Sequence, residues 1–311
     1  MRIIFAGSGE FGLPTLRRLT EGDEEIVQVI SQPDRPSGRG RKLTPTAISQ
    51  VAMEKKLNLL RTENANAESL AAADVMVVIA FGQKMSAEIV ARPKFGSVNL
   101  HASLLPKYRG AAPIHWAILR GEKETGNSVI RLAQRMDAGA ILGQSRLTIG
   151  EAETTGELHD RLAVDGAELM GRVLGELAAG KAMEREQDES QATAAPKLGR
   201  EETRIDWHED AERVARRICA MSPWPGCRVK LMDAARNELG MVTLLKARAI
   251  EGEGSRWNAG EICGDGRVSC GDGAKAVDIL RIQPAGGRAM TVEDYRRGHA
   301  WCAGMMIESI V

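Results

Sequence analysis

The run Val75-Met76-Val77-Val78-Ile79-Ala80-Phe81 is the longest uninterrupted apolar stretch in the chain and the feature that most constrains its fold. Such a run has no polar side to turn toward water, so it suits a strand covered on both faces in the middle of a parallel sheet. It is far short of the roughly 20 residues that a membrane span requires. The surrounding sequence repeats the theme. Residues 2–6, 26–31, 74–81, 97–100 and 127–132 read as strands, and 11–19, 46–57 and 111–119 carry apolar residues at helical spacing. This alternation predicts an α/β fold: a doubly wound, mainly parallel sheet with right-handed crossovers and helices on both faces. Ligands of such folds bind outside the carboxyl ends of the strands. Residues just after Ala6, Phe81, Asn99 and Leu132 are therefore where chemistry is expected.

The second half changes character. Residues 155–177 form a long amphipathic helix closed by Gly180, and 184–202 are polar, as in a linker. A helix over 210–221 then ends at Ser222-Pro223-Trp224-Pro225-Gly226. Short strands follow at 227–232, 241–249, 260–262, 268–270 and 276–282, the pattern of a small β-barrel. The expected organisation is a catalytic domain over 1–184, a linker over 185–203 and a C-terminal barrel domain over 204–311.

Composition narrows the function classes. Lys+Arg 42 against Asp+Glu 42 gives zero net charge, which excludes a strongly basic chromatin-type protein but not a local basic patch. Aromatic residues at 4% argue against a stacking platform for single-stranded nucleic acid. The five cysteines are odd in number, lack a C-x-x-C pair and lie in the last third, which predicts a reducing compartment and buried or incidental thiols. The apolar start, Ile3 to Ala6, is too short for a signal-peptide core, so a cytoplasmic location is expected.

Three motifs invite chemistry. Gly7-Ser8-Gly9-Glu10-Phe11-Gly12, with Asp34 further on, spells the dinucleotide fingerprint between a strand and a helix. Any doubly wound domain needs a glycine turn there, however, and Asp34 lies between Pro33 and Pro36, so NAD is not expected. Asn99 and His101 stand two apart at a strand end and share one face. An amide that holds an oxyanion beside an imidazole that moves protons is a compact set for acyl transfer, with Asp137 after the next strand as a third group. The alternative is a hydrogen-bonded strand-end histidine and a turn carboxylate. The Pro/Gly-rich loop over 34–42, with Arg35, Arg39, Arg41 and Lys42, is either a phosphate-neutralising element or a solvated surface loop. His101, His115 and Asp137 lack metal-ligand spacing, and no metal is expected.

The block Asn99, His101, Ser103-Leu104-Leu105-Pro106 and Tyr108-Arg109-Gly110 closely resembles the methionyl-tRNA formyltransferase family, within the folate-dependent formyltransferases. The resemblance extends to Gln32-Pro33-Asp34-Arg35-Pro36, Val78-Ile79-Ala80-Phe81-Gly82, Asp137-Ala138-Gly139, Arg204-Ile205-Asp206-Trp207, Pro223-Trp224-Pro225-Gly226 and Gln283-Pro284-Ala285-Gly286. It implies a Rossmann-like catalytic domain and a tRNA-contacting, OB-like barrel, with 10-formyltetrahydrofolate as co-substrate and methionyl initiator tRNA as partner. It also implies a monomer. By the same resemblance Asn99, His101 and Asp137 match the catalytic trio, and Ser103, Leu104, Leu105 and Pro106 match a folate-binding segment. Ile79, Phe81, Gly82 and Gln83 lie where the pterin pocket runs, and Arg35, Arg39, Arg41 and Lys42 correspond to the tRNA-binding loop. The sequence departs from the family at Ser8-Gly9, where Thr-Pro is usual, and at Ala194, where Tyr is common. Residues 204–311 hold 16 basic and 15 acidic residues, so a tRNA footprint there depends on arrangement. Other readings remain open at this point: an NAD-dependent oxidoreductase, a formyltransferase acting on a small amine, and a non-catalytic RNA-binding module.

Overall fold

The computed structural model describes residues 1–37, 40, 42–251, 257–271 and 275–310. The chain folds into two compact units, Met1–Pro113, Thr125–Leu147 and His159–Pro196 in the first and Ile114–Glu124, Thr148–Leu158 and Lys197–Val311 in the second.

In chain order the elements to residue 196 are β1 (Arg2–Gly7), α1 (Leu13–Glu21), β2 (Glu25–Ser31), β3 (Arg35–Ser37), β4 (Lys42–Thr44), α2 (Ala47–Glu54) and β5 (Leu59–Arg61). There follow β6 (Val75–Ile79), α3 (Ala87–Ala91), β7 (Ser97–His101), β8 (Arg109–Gly110), α4 (Pro113–Leu119), β9 (Glu124–Arg131), β10 (Ile141–Thr148), α5 (Thr155–Ala178) and β11 (Ala194–Ala195). The main sheet runs in the order β10-β9-β7-β6-β1-β2-β5, parallel from β7 to β5, with β9 antiparallel to β7. The order reverses at β1, which places a crevice at the carboxyl ends of β1 and β6.

The central run behaves as its composition requires. On one face Ile4, Ala6, Met76, Val78 and Phe81 share a buried cluster; on the other, Phe5 and Ile79 pack toward Ile48 of α2. The strand expected over 74–81 ends at Ile79, because Ala80 (φ 46°) and Gly82 (φ 78°) turn the backbone left-handed. The expected helix over 11–19 becomes a 3-10 turn at Glu10–Gly12 followed by α1. That over 46–57 shortens to α2, whose first turn is capped by the Thr46 hydroxyl accepting from the Ser49 N–H at 3.0 Å.

The last stretch of the second unit, from Lys197 on, holds α6 (Ala211–Ala220), capped by the Asp210 carboxylate on the Arg213 N–H at 2.8 Å. Then come β12 (Cys227–Met232), β13 (Glu238–Glu251), β14 (Val268–Ser269), β15 (Lys275–Pro284), β16 (Met290–Thr291), α7 (Val292–Arg296) and β17 (Met306–Ser309). The antiparallel order is β14-β15-β13-β12-β17, with β16 on β15. Bridges from Glu261 to Met306 and from Ile262 to Val268 link the two outer strands, so the sheet nearly closes into a barrel. The strand expected over 260–262 is only these bridges, since the Glu261 N–H turns back to the Asn258 carbonyl. Inward residues such as Val229, Leu231, Leu244, Val277 and Ile307 fill the interior. Cys219, Cys227, Cys263 and Cys270 are buried and Cys302 is exposed.

Candidate active site

β7 ends at the carboxyl edge of the sheet. Its register sets Asn99 in one row with Val78 of β6 and Ala6 of β1, while Leu100 on the opposite face packs against Gly166 of α5. Asn99 and His101 therefore share the face away from α5. His101 Nε2 lies 2.8 Å from the Tyr108 carbonyl oxygen, which the left-handed backbone of Tyr108 (φ 64°) turns toward the ring. A carbonyl only accepts, so Nε2 carries the proton in the neutral ring and Nδ1 presents its lone pair. Nδ1 faces Asp137 Oδ2 at 3.7 Å, with the two side chains only 8% and 14% exposed. That separation exceeds a hydrogen bond. The half-buried Asn99 amide makes no hydrogen bond among the described residues, so both its N–H groups are available.

Asp137 sits in the loop between β9 and β10, itself left-handed at φ 53°. Its Oδ2 accepts the Gly110 N–H at 2.9 Å. Only glycine fits at 110: its φ is +128°, and an added Cβ would lie 2.6 Å from the Ala195 oxygen of β11. β11 pairs in parallel with β8 there. The Tyr108–Gly110 turn thus contacts both members of the acid–base pair.

The other expected site residues divide by what they touch. Ser103 is fully buried; its hydroxyl donates to the Lys107 carbonyl at 2.7 Å, and its carbonyl accepts from the Ser128 hydroxyl at 2.6 Å. Leu105 packs on Ile130 and Ile141, while Leu104 and Pro106 are half-buried. Ile79 and Phe81 point into the core, and the Phe81 carbonyl accepts from Gln32 Nε2 at 3.0 Å. Gln83 accepts the Ala65 N–H at 2.8 Å and donates to the Thr62 carbonyl at 2.7 Å. Ala80 and Gly82 are exposed, so this segment shows its backbone to the crevice and its large side chains to the interior. The glycine turn is explained by packing, because a Cβ on Gly7 would lie 2.9 Å from the Ile79 carbonyl. Asp34 is taken up by Arg61 at 2.8 Å.

The basic segment is a hairpin at its base, not a simple loop: β3 and β4 pair with Arg35 opposite Thr44 and Ser37 opposite Lys42. Arg35 and Lys42 are exposed, and the Arg35 guanidinium donates to the Gln32 side-chain oxygen. Arg39 and Arg41 lie outside the described residues. Four residues at the site were not singled out from the sequence by role: Tyr108, Arg109, Gly110 and Gln187. Arg109 holds Glu189 at 2.8 Å, and this hydrogen bond, with help from Arg135, keeps the Glu189 carboxyl below its usual range. Among the described residues no group of three or more His, Cys, Asp or Glu side chains is arranged to hold a metal, and no helix is long and apolar enough to cross a membrane.

Residues 1–174 match the formyl transferase domain, and residues 197–300 match the formyl transferase C-terminal domain. The methionyl-tRNA formyltransferase of Methylococcus capsulatus is 41% identical over 309 residues, covering 96% of this chain and 97% of that one. That of Halorhodospira halophila is 38% identical, covering 99% of each. Among solved structures, HypX from Aquifex aeolicus in complex with tetrahydrofolic acid superposes with a TM-score of 0.63 at 19% identity, over 95% of this chain and 46% of that one.

Proposed function

The chain belongs to the formyl transferase family, and on that premise we propose that it transfers the formyl group of 10-formyltetrahydrofolate to the α-amino group of methionyl initiator tRNA. The product is formylmethionyl-tRNA for translation initiation. Among the features of the site, the observation that carries this reading is the convergence at one strand end of a free Asn99 amide and the facing pair His101 Nδ1 and Asp137 Oδ2. The first unit carries the catalysis, and the C-terminal barrel, with Arg35, Arg39, Arg41 and Lys42, serves the tRNA. The enzyme acts as a cytoplasmic monomer in this reading.

The crevice suits the folate. A flat heterocycle with donors and acceptors along its edge is matched by the exposed backbone at Ala80 and Gly82, and Ser103, Leu104, Leu105 and Pro106, with Ser103 and Leu105 buried, are the folate-binding segment in this reading. Bound there, 10-formyltetrahydrofolate supplies a formyl carbon open to a nucleophile and N10 as the leaving nitrogen.

The chain's own groups then act in order. A free α-amine has a reference pKa of about 7.7–8.0, so a usable neutral fraction exists near pH 7. As the amine bonds to the formyl carbon, negative charge gathers on the formyl oxygen, and the Asn99 N–H donates to it. The amine proton passes to the edge shared by Asp137 and His101. Because Nε2–H stays on the Tyr108 carbonyl, Nδ1 is the nitrogen of His101 that takes up and returns a proton, delivering it to N10 as the C–N10 bond breaks.

The test is transfer of labelled formyl from 10-formyltetrahydrofolate to methionyl initiator tRNA, with Asn99→Ala alongside. Transfer by the native chain and severe slowing of the variant are expected. Use of the folate with a small amine but not with the tRNA would replace this substrate by that class.

A further inference from the structure

The polar segment after α5 is bonded to the site rather than free. Arg185 pairs with Ile141, Thr193 and Ala195 accept the N–H groups of Arg109 (2.8 Å) and Ala112 (3.2 Å), and the Thr193 hydroxyl accepts the Tyr108 N–H at 2.9 Å. Its one buried polar side chain, apart from these, is Gln187 at 9% exposure. Gln187 Oε1 accepts from Arg109 Nε at 3.0 Å and Nη2 at 2.7 Å, and its Nε2 donates to the carbonyls of Asp137 and Gly139, each at 2.8 Å. Both lone pairs and both N–H groups are used, and rotating the amide by half a turn would set four like groups against one another. The Asp137 carboxylate on the Gly110 N–H, and Glu189 between Arg109 and Arg135, also link the Tyr108–Gly110 turn to the Asp137 loop, but of these side chains only Gln187 holds the Asp137 main chain.

We propose that Gln187 is a positioning residue for the transfer step. It fixes the Asp137 carbonyl, and with it the left-handed backbone that aims the carboxylate at His101 Nδ1. Through Arg109 it holds the turn whose carbonyl grips Nε2. Both halves of the proton-transfer edge are thereby set by one amide. The inference rests on the proposed formyl transfer, in which Asp137 and His101 share the edge that takes the amine proton.

Gln187→Leu removes all four bonds, and Gln187→Glu keeps the shape and the Arg109 contact while setting a negative oxygen against the two carbonyls. Both are expected to lower kcat about 10- to 100-fold, with KM for folate and for tRNA within about threefold of the native values, since a displacement near 1 Å at the reacting groups costs on this scale. Melting midpoints are measured alongside. A lowered midpoint with native kcat per folded molecule would overturn the proposal, as would a loss confined to KM. If Gln187→Leu does not fold, kcat and the two KM values of Gln187→Glu decide. Asp137→Asn separates the two claims: native turnover by that variant sinks the assignment of Asp137 itself, and an inactive Asp137→Asn beside unimpaired Gln187 variants sinks only the positioning.

Discussion

His101 Nδ1 faces Asp137 Oδ2 across 3.7 Å, so a third polar atom about 2.8 Å from each can bond both at once. A migrating proton needs such a station between an attacking amine and a leaving nitrogen. His101→Ala and Asp137→Asn are expected to lower kcat severely, and the double variant to lower it little beyond the worse single one, because groups acting as one unit are not additive. Single-turnover formyl transfer by all three variants gives the answer; losses that multiply would mean separate roles.

Asn99→Ala is expected to reduce kcat about 100- to 1,000-fold, the usual loss for one oxyanion donor, with little change in either KM. The side chain is half-buried and makes no hydrogen bond among the described residues, so stability should be nearly unchanged. Kinetics and thermal melting on one preparation check both halves.

Neutralising Arg35, Arg39, Arg41 and Lys42 together is expected to raise KM for tRNA and leave KM for folate unchanged. The dependence of log affinity on log salt should fall by about one for each cation that contacts a phosphate. Titrating tRNA at several salt concentrations measures it, and an unchanged slope would make these residues a solvated surface.

Burial pushes the thiol of Cys219 up to about 11 and those of Cys227 and Cys270 to about 12. At pH 8 the native chain should therefore alkylate at the exposed Cys302 alone, and the denatured chain at all five cysteines. The linkage follows in sign: above the ordinary thiol value of 9.0 an unfolded chain releases thiol protons that the folded chain retains, so stability falls as pH rises from 9.0 toward 12. Mass spectrometry after brief alkylation and melting at alkaline pH are the two readouts.

Gly110→Ala is expected to destabilise by roughly 1–3 kcal/mol from its backbone conformation alone, with the clash on Ala195 added. Since the Gly110 N–H also holds Asp137, activity should fall in the fraction that remains folded. Denaturant midpoints and kcat per folded molecule separate the two effects.

The central strands were legible because apolar side chains at Val75 to Ile79 admit only a doubly covered position. Asn99 and His101 were legible as a pair because a strand repeats every two residues. β10 was not, since its burial is confined mainly to Ile141 and Leu142 and its remaining residues are half-buried or exposed. The group that holds the His101 ring is a backbone carbonyl, which every residue possesses, so no side-chain pattern announces Tyr108. Gln187 was hidden for a related reason. Its partners are two carbonyls and a guanidinium, and a segment whose side chains serve such partners has the composition of a spacer.

Two stretches of the second unit, Ile114–Glu124 and Thr148–Leu158, come early in the chain, yet they pack with residues that come late: Gly121 lies against Arg216, and the Thr155 hydroxyl donates to the Ala220 carbonyl at 2.7 Å. During synthesis these stretches leave the ribosome before their companions have been translated. The second unit thus assembles as the last third of the polypeptide emerges, and a ribosome that stalls near residue 196 releases a chain with two orphaned segments.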